Sequence, residues 1–400
     1  MNKHILVVSQ YFYPEQFRIN DICIEWIKRG YKVTVLTGIP NYPEGKFYKG
    51  YGLFKKRKEN YKGINIIRIP IIQRRNNPIS LSLNYLSFVV AGFFWKSFTR
   101  VKADYVFNFE VSPMTQALVG VWYAKKRKIP CYLYVQDLWP ENVIIMTGLK
   151  NTFIINKISK MVDYIYNNCS KIFATSHSFV KAIEKRGIDG DKVLYWPQYS
   201  TIEQKEKKYN KNNDDTILKI VFAGNIGYAQ GLGKLIYVAE KIKEEKINKK
   251  IIFNIIGDGR YKSEMISLIK EKQLVDMFNF IPKQPEAKIV NFLNDNHIAY
   301  LSLADNEIFK MTIPAKLQTY LACGIPILAI AKGEVKKIIE ESNSGLCSEP
   351  NRLDDLINNL KLIASYDKDE LYKLGQNGYN YYKAVFNKEK LLNEMDNYFS

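Results

Sequence analysis

A glycine-rich segment in the second half of the chain has the composition of a phosphate-binding loop. Residues 224–231, with the sequence GNIGYAQG, follow a strand-like run and precede a helix-like one. Glycines at such a junction let backbone N–H groups approach a phosphate at the positively charged start of the helix. Turns between strands and helices also use Gly and Asn, and the segment is neither a G-x-x-x-x-G-K-[ST] loop nor a G-x-G-x-x-G fingerprint. By itself it is equally compatible with a diphosphate site and with a structural turn.

Lys316 is a second candidate for contact with an anion. It lies in the first turn of a helix that is predicted to begin at Pro314 and to end at Gly324. A cation in the first turn opposes the helix dipole unless an anion lies between the two. We therefore expect Lys316 to contact a phosphate, the alternative being a solvated lysine.

In the first half, Asp137 has the position of a group that could exchange a proton. It follows a predicted strand in the run QDLWPE, where a carboxylate could accept a proton or a hydroxyl hydrogen bond. The structural alternative is capping of a helix expected to begin near Pro140. Glu110 also follows a strand and is the weaker candidate of the same kind.

Other polar loops follow the first two predicted strands. Arg18 lies near the start of a helix after YFYPEQF, and Asn41 and Tyr42 lie in the run NYPEGK. Such loops combine stacking and hydrogen-bonding side chains, as sugar sites do, although turns use Pro, Asn and Gly as well. His177 also follows a strand, and a lone histidine is more often structural than functional.

Short apolar runs that alternate with amphipathic helices must position these residues, a pattern typical of parallel sheets covered on both faces. The pattern occurs on either side of residues 201–216, which contain almost no apolar residue and are predicted to be a linker. The predicted strands are 4–9, 32–37, 64–70, 105–109, 131–135, 171–175 and 192–196, then 219–223, 251–256, 278–281, 298–303 and 326–331. We expect an α/β protein with two doubly wound, Rossmann-like domains, 1–200 and 217–382, that face each other across a cleft. A C-terminal helix at about 383–400 could pack back on the first domain.

Length and composition are those of a globular chain. It has 400 residues, 46% of them hydrophobic and 25% charged, which suffices for two cores and excludes a disordered or fibrous protein. The five cysteines contain no C-x-x-C pair and the three histidines lie far apart, so neither a disulfide framework nor a local zinc motif is expected. No signal-peptide pattern opens the sequence, and we expect a cytoplasmic protein.

Positive charge is concentrated in the first half of the chain. Residues 1–200 hold 30 Lys and Arg against 13 Asp and Glu, whereas residues 201–400 hold 29 against 27. Beside a basic segment at 46–75, residues 79–95 form a run of 17 without a charge and with five aromatic side chains. Such a run suits a helix in the headgroup layer of an anionic membrane, and a buried core helix is the alternative. It is too polar to predict a membrane span.

Taken together, the motifs resemble those of the family 4 glycosyltransferases, which have the GT-B architecture of two facing Rossmann-like domains. The matching runs follow the expected order through nearly the whole chain: QYFYPE (10–15), GYKVTVLTGIPNYPEGKFYKGY (30–51), VQDLWPE (135–141), FAGNIGYAQGL (222–232), IIGDG (255–259) and IPAKLQTYLACGIPILA (313–329). They are most similar to the bacterial branch that acts on O-antigen, capsule or colanic acid, which includes L-fucosamine transferases.

The resemblance implies a role for each group of candidates. The second domain would bind the phosphates of a nucleotide-sugar through Gly224, Asn225, Gly227, Gln230, Lys316 and Thr319, and its base through the loops with Gly257, Gly259 and Pro282. The first domain would bind the acceptor through Arg18, Asn41, Tyr42 and Glu110, with Asp137 as the catalytic residue. Such enzymes usually retain the anomeric configuration and use no metal or cofactor, so cations and helix N-termini would stabilise the departing diphosphate.

Two departures from the family pattern concern the donor site. Many members carry a Glu-x7-Glu pair in the second domain, and the corresponding positions here are Met311 and Thr319. The Arg and Lys that often follow the first strand of that domain are replaced by Asn225 and Gln230. The contact to the ribose must therefore differ from that in better-known members.

We expect a hexosyltransferase that moves an N-acetylated or deoxy sugar from a UDP-sugar to an undecaprenyl-diphosphate-linked or polysaccharide acceptor. It would act in O-antigen, lipopolysaccharide or capsule synthesis, peripherally bound to the inner face of the cell membrane. A UDP-sugar 2-epimerase of the same fold is the alternative, but it would not need a basic, lipid-facing half. Charge alone would suggest a nucleic-acid binder, and we expect no nucleic-acid partner because no such motif appears and the second half is nearly neutral.

Overall fold

The structure is a computed structural model of the chain, and it describes residues 3–75, 77–202, 216–245 and 249–399. The chain forms two compact units that divide between Trp196 and Pro197, and the residues from Asn397 onward rejoin the first unit. The sequence placed the division at the linker 201–216, of which residues 203–215 lie outside the described residues. Of the C-terminal segment that could return to the first domain, only the residues after Asp396 do so.

Within the described residues, the first unit has a sheet of eight strands and six α-helices. The strands are β1 (His4–Val8), β2 (Lys32–Gly38), β3 (Lys58–Tyr61), β4 (Ile64–Ile69), β5 (Tyr105–Glu110), β6 (Cys131–Val135), β7 (Lys171–Ala174) and β8 (Val193–Tyr195). The helices are α1 (Arg18–Lys28), α2 (Pro78–Phe98), α3 (Ala117–Arg127), α4 (Glu141–Thr147), α5 (Thr152–Asn167) and α6 (His177–Glu184). The strand order is β3-β4-β2-β1-β5-β6-β7-β8, and each neighbouring pair is parallel except β3 with β4.

The central strands of this sheet form where the sequence predicted them. Every residue of β1, β5 and β6 is buried, as expected for apolar runs covered by helices on both faces. The sequence analysis missed β3, because its residues KENY show no apolar alternation. This short strand pairs antiparallel with β4 at the edge of the sheet, where few of its side chains need to be buried.

The second unit has a parallel sheet of six described strands. The strands are β9 (Ile217–Ala223), β10 (Lys250–Ile256), β11 (Phe278–Ile281), β12 (Ile298–Ser302), β13 (Ile327–Ile330) and β14 (Gly345–Ser348). The helices are α7 (Gly233–Glu244), α8 (Lys262–Glu271), α9 (Glu286–Asn294), α10 (Glu307–Met311), α11 (Ala315–Ala322), α12 (Glu334–Ser342), α13 (Leu353–Ser365), α14 (Lys368–Val385) and α15 (Lys388–Asp396). The edge strand β14 was not predicted, because GLCS is short and only partly apolar.

The strand order of the second sheet locates its ligand site. The order is β11-β10-β9-β12-β13-β14, with all pairs parallel, so the winding reverses direction between β9 and β12. In doubly wound sheets, ligands bind beyond the carboxyl ends of the strands at this reversal. The segment 224–231 follows β9, and α10 and α11 follow β12.

Candidate functional site

The point of strand reversal brings two predicted phosphate-binding elements together. The Nζ of Lys316, on α11, donates a hydrogen bond to Gln230 Oε1 at 2.5 Å, although the two residues are 86 positions apart in sequence. The same Nζ lies 4.2 Å from the centre of the Phe222 ring. The lysine side chain therefore lies along the glycine-rich segment, as expected if both bind one anion.

Burial determines the electrostatics of Lys316. A Cβ at Gly224 would lie only 2.3 Å from the Lys316 Cε, so the loop fits closely against the lysine stem. Burial lowers the pKa of Lys316 to about 7, and no described carboxylate compensates for the lost hydration. An anion that entered this site would supply the missing partner.

The loops after β9 and β10 pack backbone against backbone. Ile226 N–H donates a hydrogen bond to the Asp258 carbonyl at 2.8 Å. A Cβ at Gly257 would lie 1.9 Å from the Gly224 carbonyl oxygen, and one at Gly259 would lie 2.3 Å from the Ile226 oxygen. The GDG motif is thus required by packing, and its contact with a nucleotide base stays a prediction.

Asn225 and Gly227 lie in the same loop as the lysine contact. A Cβ at Gly227 would lie 2.7 Å from the Asn225 Nδ2, and one at Gly259 would lie 2.7 Å from the Asn225 Oδ1. The Asn225 side chain therefore bridges the loops after β9 and β10, and it remains exposed to solvent.

Pro282 and Thr319 lie apart from these contacts. Pro282 follows β11, at the same edge of the sheet as the loop after β10. Thr319 Oγ1 donates a hydrogen bond to the Ala315 carbonyl at 3.0 Å and lies 3.4 Å from Ser200 Oγ. The Thr319 hydroxyl therefore contacts its own helix and Ser200, and not the glycine-rich segment.

A second cation lies at this edge and was not predicted from the sequence. Lys234 lies in the first turn of α7, and its Cε would be 3.8 Å from a Cβ at Gly231. Burial lowers the pKa of Lys234, and the nearby charge of Asp305 partly offsets this effect. The sequence contained a signal for this residue, because Lys234 directly follows a Gly-Leu-Gly run at the start of a helix. A cation in the first turn of a helix is favoured when an anion binds there, as argued for Lys316.

In the first unit, Asp137 and Glu110 hold together the chain segments that leave β6 and β5. Ser112 N–H donates to Asp137 Oδ2 at 2.7 Å, and the N–H groups of Gln136 and Asp137 each donate to Glu110 Oε2 at 3.3 Å. Burial, and then the charge of Asp137, raise the pKa of Glu110 well above its usual range. Asp137 is partly exposed and Glu110 is fully buried. Asp137 is therefore the carboxyl group of this pair that a ligand can reach.

Glu110 and Asn41 do not line a surface, which differs from the prediction that they contact an acceptor. Both side chains are fully buried. Asn41 Oδ1 accepts a hydrogen bond from Arg74 N–H at 3.2 Å. The N–H groups of Asn41 and Tyr42 donate to Glu15 Oε1 at 2.8 and 2.6 Å. Burial raises the pKa of Glu15 to about 7. These residues shape the loop after β2 from within.

Tyr42 belongs to an aromatic cluster beyond the carboxyl ends of β1 and β2. The ring centres of Tyr11, Phe17 and Tyr42 lie 5.3, 5.4 and 5.5 Å apart. The Arg74 guanidinium lies 5.0 Å from the centre of the Tyr42 ring. An aromatic surface beside a cation can stack on a sugar ring and hold an anionic group next to it.

Helix α2 contributes Tyr85 to the same region. Burial raises the pKa of its hydroxyl, which lies beside Tyr11 and within electrostatic reach of Arg74 and Asp137. The sequence analysis missed both Arg74 and Tyr85 as site residues, although each lay in a segment that it singled out. Arg18, the first residue of α1, is partly buried, and its charge partly offsets the effect of burial on the pKa of Tyr134.

Helix α2 also exposes an apolar face. Its exposed large apolar side chains, termed the α2 stripe, are Ile79, Leu83, Leu86, Val90, Phe93, Phe94 and Phe98. The opposite face packs on α3 and β4, and its residue Asn84 is fully buried and accepts a hydrogen bond from Gln10 Nε2 at 2.7 Å. One face thus has the packing of a core helix, and the other has the composition of a headgroup-layer helix.

By length and composition alone, α2 could also cross a membrane. Residues Ile79–Phe98 reach a mean hydropathy of 1.2, and 28% of that window is buried. The sequence analysis judged the run too polar to span. Length and composition of one helix do not establish a span, and we assign none to α2.

Comparison with known proteins identifies the second unit. Residues 201–381 match the family model of glycosyl transferases group 1. The chain is 24% identical over 355 residues to a protein of Escherichia coli K12 named as the colanic acid biosynthesis glycosyl transferase WcaI, and the match covers 84% of each chain. It is 23% identical over 234 residues to the glycosyltransferase WbjE of Pseudomonas aeruginosa, covering 55% of this chain and 56% of that one.

Solved structures share the architecture of the whole chain. A sucrose-phosphate synthase of Thermosynechococcus elongatus superposes with a TM-score of 0.69 at 14% identity, covering 100% of this chain and 98% of its own. Anabaena Alr3699/HepE, solved in complex with UDP and glucose, superposes with a TM-score of 0.68 at 12% identity, covering 99% of both chains. These likenesses confirm the predicted fold. With a domain at 201–381 that matches the group 1 glycosyl transferases and a fold shared with these solved structures, the chain is a glycosyltransferase of GT-B fold.

Proposed function

We propose that this glycosyltransferase moves a hexosyl group from a UDP-sugar to a lipid-linked acceptor in the synthesis of a surface polysaccharide. The observation that carries the proposal is the contact between Lys316 and the segment 224–231 at the strand reversal of the second unit. The name of the Escherichia coli relative supports a polysaccharide product. The Anabaena structure with bound UDP supports a uridine donor.

In this proposal, the second unit binds the donor diphosphate. The N–H groups of the segment 224–231 approach the phosphate oxygens, and Lys316 supplies the positive charge. Gln230 accepts a hydrogen bond from that ammonium and so orients it. As the bond between sugar and phosphate breaks, negative charge grows on the leaving diphosphate, and a charge placed in advance stabilises it.

The proposal assigns neutralisation of the leaving group to the protein's own cations. Among the described residues, no group of three or more His, Cys, Asp and Glu side chains is arranged to hold a metal ion. We expect turnover to persist after chelation of divalent cations. From the family resemblance we also expect the product to retain the anomeric configuration of the donor.

The first unit would bind the acceptor through its aromatic cluster and Asp137. Tyr42 is the most exposed ring of that cluster and would stack on an acceptor sugar. Asp137 would accept the proton of the attacking hydroxyl, and the amide of Ser112 holds its carboxylate in place. Burial raises the pKa of Glu110, so Asp137, which is partly exposed, is the carboxyl group of the pair available to the acceptor.

Helix α2 supports a lipid-linked acceptor. It carries Tyr85, which borders the region of Asp137, and it carries the α2 stripe on its outer face. A helix with an apolar outer face, in the half of the chain with the large cation excess, suits the surface of an anionic membrane. Membrane docking through the α2 stripe would bring the acceptor region to the layer where diphosphate-linked lipids present their sugars.

Transfer assays with a panel of donors test this function. Purified protein would be incubated with labelled UDP-, GDP- and dTDP-sugars and with lipid extracts, and label would be followed into the lipid phase. We expect UDP-dependent transfer that requires the lipid extract. Conversion of free UDP-sugar without an acceptor would instead indicate an epimerase, and no reaction or binding with any UDP-sugar would refute the proposal.

A further inference from the structure

A pocket in the first unit lies away from the site residues described above. It has a volume of about 680 Å³ and opens near the amino-terminal edge of the sheet. His4 and Lys32, the first residues of β1 and β2, line it, together with the segment 100–102 that precedes β5. The aromatic cluster and Asp137 follow the carboxyl ends of the strands, so this amino-edge pocket is a separate feature of the unit.

Four cations line the amino-edge pocket: Lys32, Lys58, Arg100 and Lys102. None of them forms an ion pair with any residue in the described part of the chain. The pocket contains one acid, Glu59, whose Oε2 lies 2.8 Å from the buried guanidinium of Arg68. Glu59 is therefore already paired within the protein, and no other acid among the described residues lines the pocket beside the four cations.

The remaining lining suits a ligand that is more than a bare ion. Ile67 and Val101 supply apolar surface, and the amides of Asn60 and Asn65 supply hydrogen-bonding groups. The His4 ring, in contrast, is held by neighbours within hydrogen-bonding distance, the Thr34 hydroxyl at 2.8 Å and the Lys102 carbonyl at 2.5 Å. Cations beside apolar side chains suit a phosphate that is attached to a small organic group.

We propose that the amino-edge pocket binds a phosphate ester, with its charge among the four cations and its organic part against Ile67 and Val101. The ester could be a soluble sugar phosphate or the headgroup of an anionic lipid. The position of α2 favours the lipid, because the exposed Phe98 at the end of the α2 stripe is followed two residues later by Arg100. The pocket would then hold one headgroup where the apolar helix ends.

The three histidines of the chain allow a direct test in the intact protein. Protein labelled with ¹³C-histidine would be titrated with sn-glycerol 3-phosphate, the soluble counterpart of a phosphatidylglycerol headgroup. We expect the His4 resonance to move in a saturable way, because its ring lines the pocket. The resonances of His177 and His297 should stay in place. The Lys32→Gln/Lys102→Gln variant should lose the response.

A vesicle arm distinguishes the lipid source. Binding to phosphatidylcholine vesicles with and without phosphatidylglycerol would be compared for three proteins. These are the wild type, the Lys32→Gln/Lys102→Gln variant and the Lys181→Gln/Lys185→Gln variant, which removes two charges of the same unit outside the pocket. We expect the pocket variant to bind anionic vesicles about fivefold more weakly per lost cation, and the control variant to bind much as the wild type does.

The histidine titration and the vesicle assay together distinguish a soluble ester from a lipid headgroup. A His4 shift with the soluble ester supports a soluble ligand, and a vesicle defect confined to the pocket variant supports a lipid headgroup. An unmoved His4 together with equal vesicle binding of both variants would overturn the proposal. UDP affinity, measured on the same proteins, is expected to be unchanged, so that a failure of the donor site would be recognised separately.

Discussion

The Lys316 ammonium donates a hydrogen bond to the side-chain oxygen of Gln230 and lies over the Phe222 ring. Among the described residues it contacts no carboxylate. Its burial therefore costs free energy in the unliganded protein, and its pKa falls to about 7. A diphosphate would reverse this shift by stabilising the protonated form. Donor binding and protonation of the Lys316 amine are therefore thermodynamically linked.

The first prediction concerns the pH dependence of UDP binding. Free Lys316 is largely neutral above pH 7, so binding must add a proton there, and the affinity should fall by up to about tenfold per pH unit. Below pH 7 the lysine becomes protonated in the free protein, so its contribution to the slope should vanish. Calorimetry in buffers of different ionisation enthalpy should show proton uptake at alkaline pH. In Lys316→Met the slope should be absent, and a wild-type affinity that does not change with pH would contradict the assignment.

The second prediction separates Asp137 from Glu110. Asp137→Asn should lower turnover by about 10²- to 10⁴-fold, the usual contribution of a general base, and should leave UDP affinity unchanged. Glu110→Gln should keep most of the turnover, because an amide oxygen can accept the same two backbone hydrogen bonds as Glu110 Oε2. Steady-state rates and UDP titrations check both variants. A wild-type rate for Asp137→Asn would remove it from the catalytic machinery.

At the scale of elements, helix α2 combines roles that sequence reasoning treated as alternatives. Its inner face is held to the segment after β1 through Asn84, and Tyr85 lies within electrostatic reach of Asp137. Its outer face carries the α2 stripe. Periodicity could not separate the faces, because apolar residues occur all around this helix and the difference lies in which neighbours cover them.

The third prediction tests the two faces of α2 separately. Leu86→Ser/Val90→Ser changes only exposed residues of the α2 stripe, so the free energy of unfolding should change little, within about 0.5 kcal/mol for each residue. Binding to vesicles that contain phosphatidylglycerol should weaken clearly. Phe88→Ala, on the buried face, should cost about 3–5 kcal/mol of stability instead. Undiminished vesicle binding of the serine variant would show that the α2 stripe does not contact lipid.

The sequence predicted elements better than it predicted side-chain environments. Buried strands such as β6 and the start of α11 followed from apolar runs and from Pro and Gly positions, whereas the hydrogen bond between Lys316 and Gln230 is found only in the structure. The burial of Glu110 and Asn41 could not be read from spacing, because each polar group is satisfied by backbone from another strand or loop. The strands β3 and β14 lie at the edges of their sheets, where few side chains are buried. Their sequences therefore contain no apolar run from which a strand could be predicted.

At the scale of the whole molecule, the charge of the chain is divided unequally between its halves. Not all of the excess positive charge in residues 1–200 is available to a ligand, because some of these cations pair with groups of the protein itself. Arg68 is fully buried, pairs with Glu59 and donates to the Tyr13 carbonyl at 2.7 Å, and Arg57 Nη1 donates to the Leu53 carbonyl at 2.9 Å. The exposed remainder is what can attract a membrane.

The fourth prediction concerns salt. Exposed charges are screened over about 10 Å at 0.1 M ionic strength, so binding to anionic vesicles should weaken steeply as salt is added. UDP affinity should respond less, because Lys316 is partly buried and its charge is screened less. Parallel vesicle sedimentation and UDP titration across a salt series check this difference. Equal salt sensitivity of the two would contradict the division of roles between the units.

The donor site of the second unit is tested most directly by calorimetric titration of UDP into the wild-type protein, Lys316→Ala and Lys241→Ala. Lys241 is an exposed lysine of α7 that pairs with Glu244 and serves as the matched control. We expect UDP to bind the wild type and Lys241→Ala equally, and Lys316→Ala to lose about 1.5–3 kcal/mol, the range for a hydrogen bond to a charged group. Equal UDP affinity in all three proteins, or none in the wild type, would contradict a diphosphate site formed by Lys316 and the glycine-rich segment.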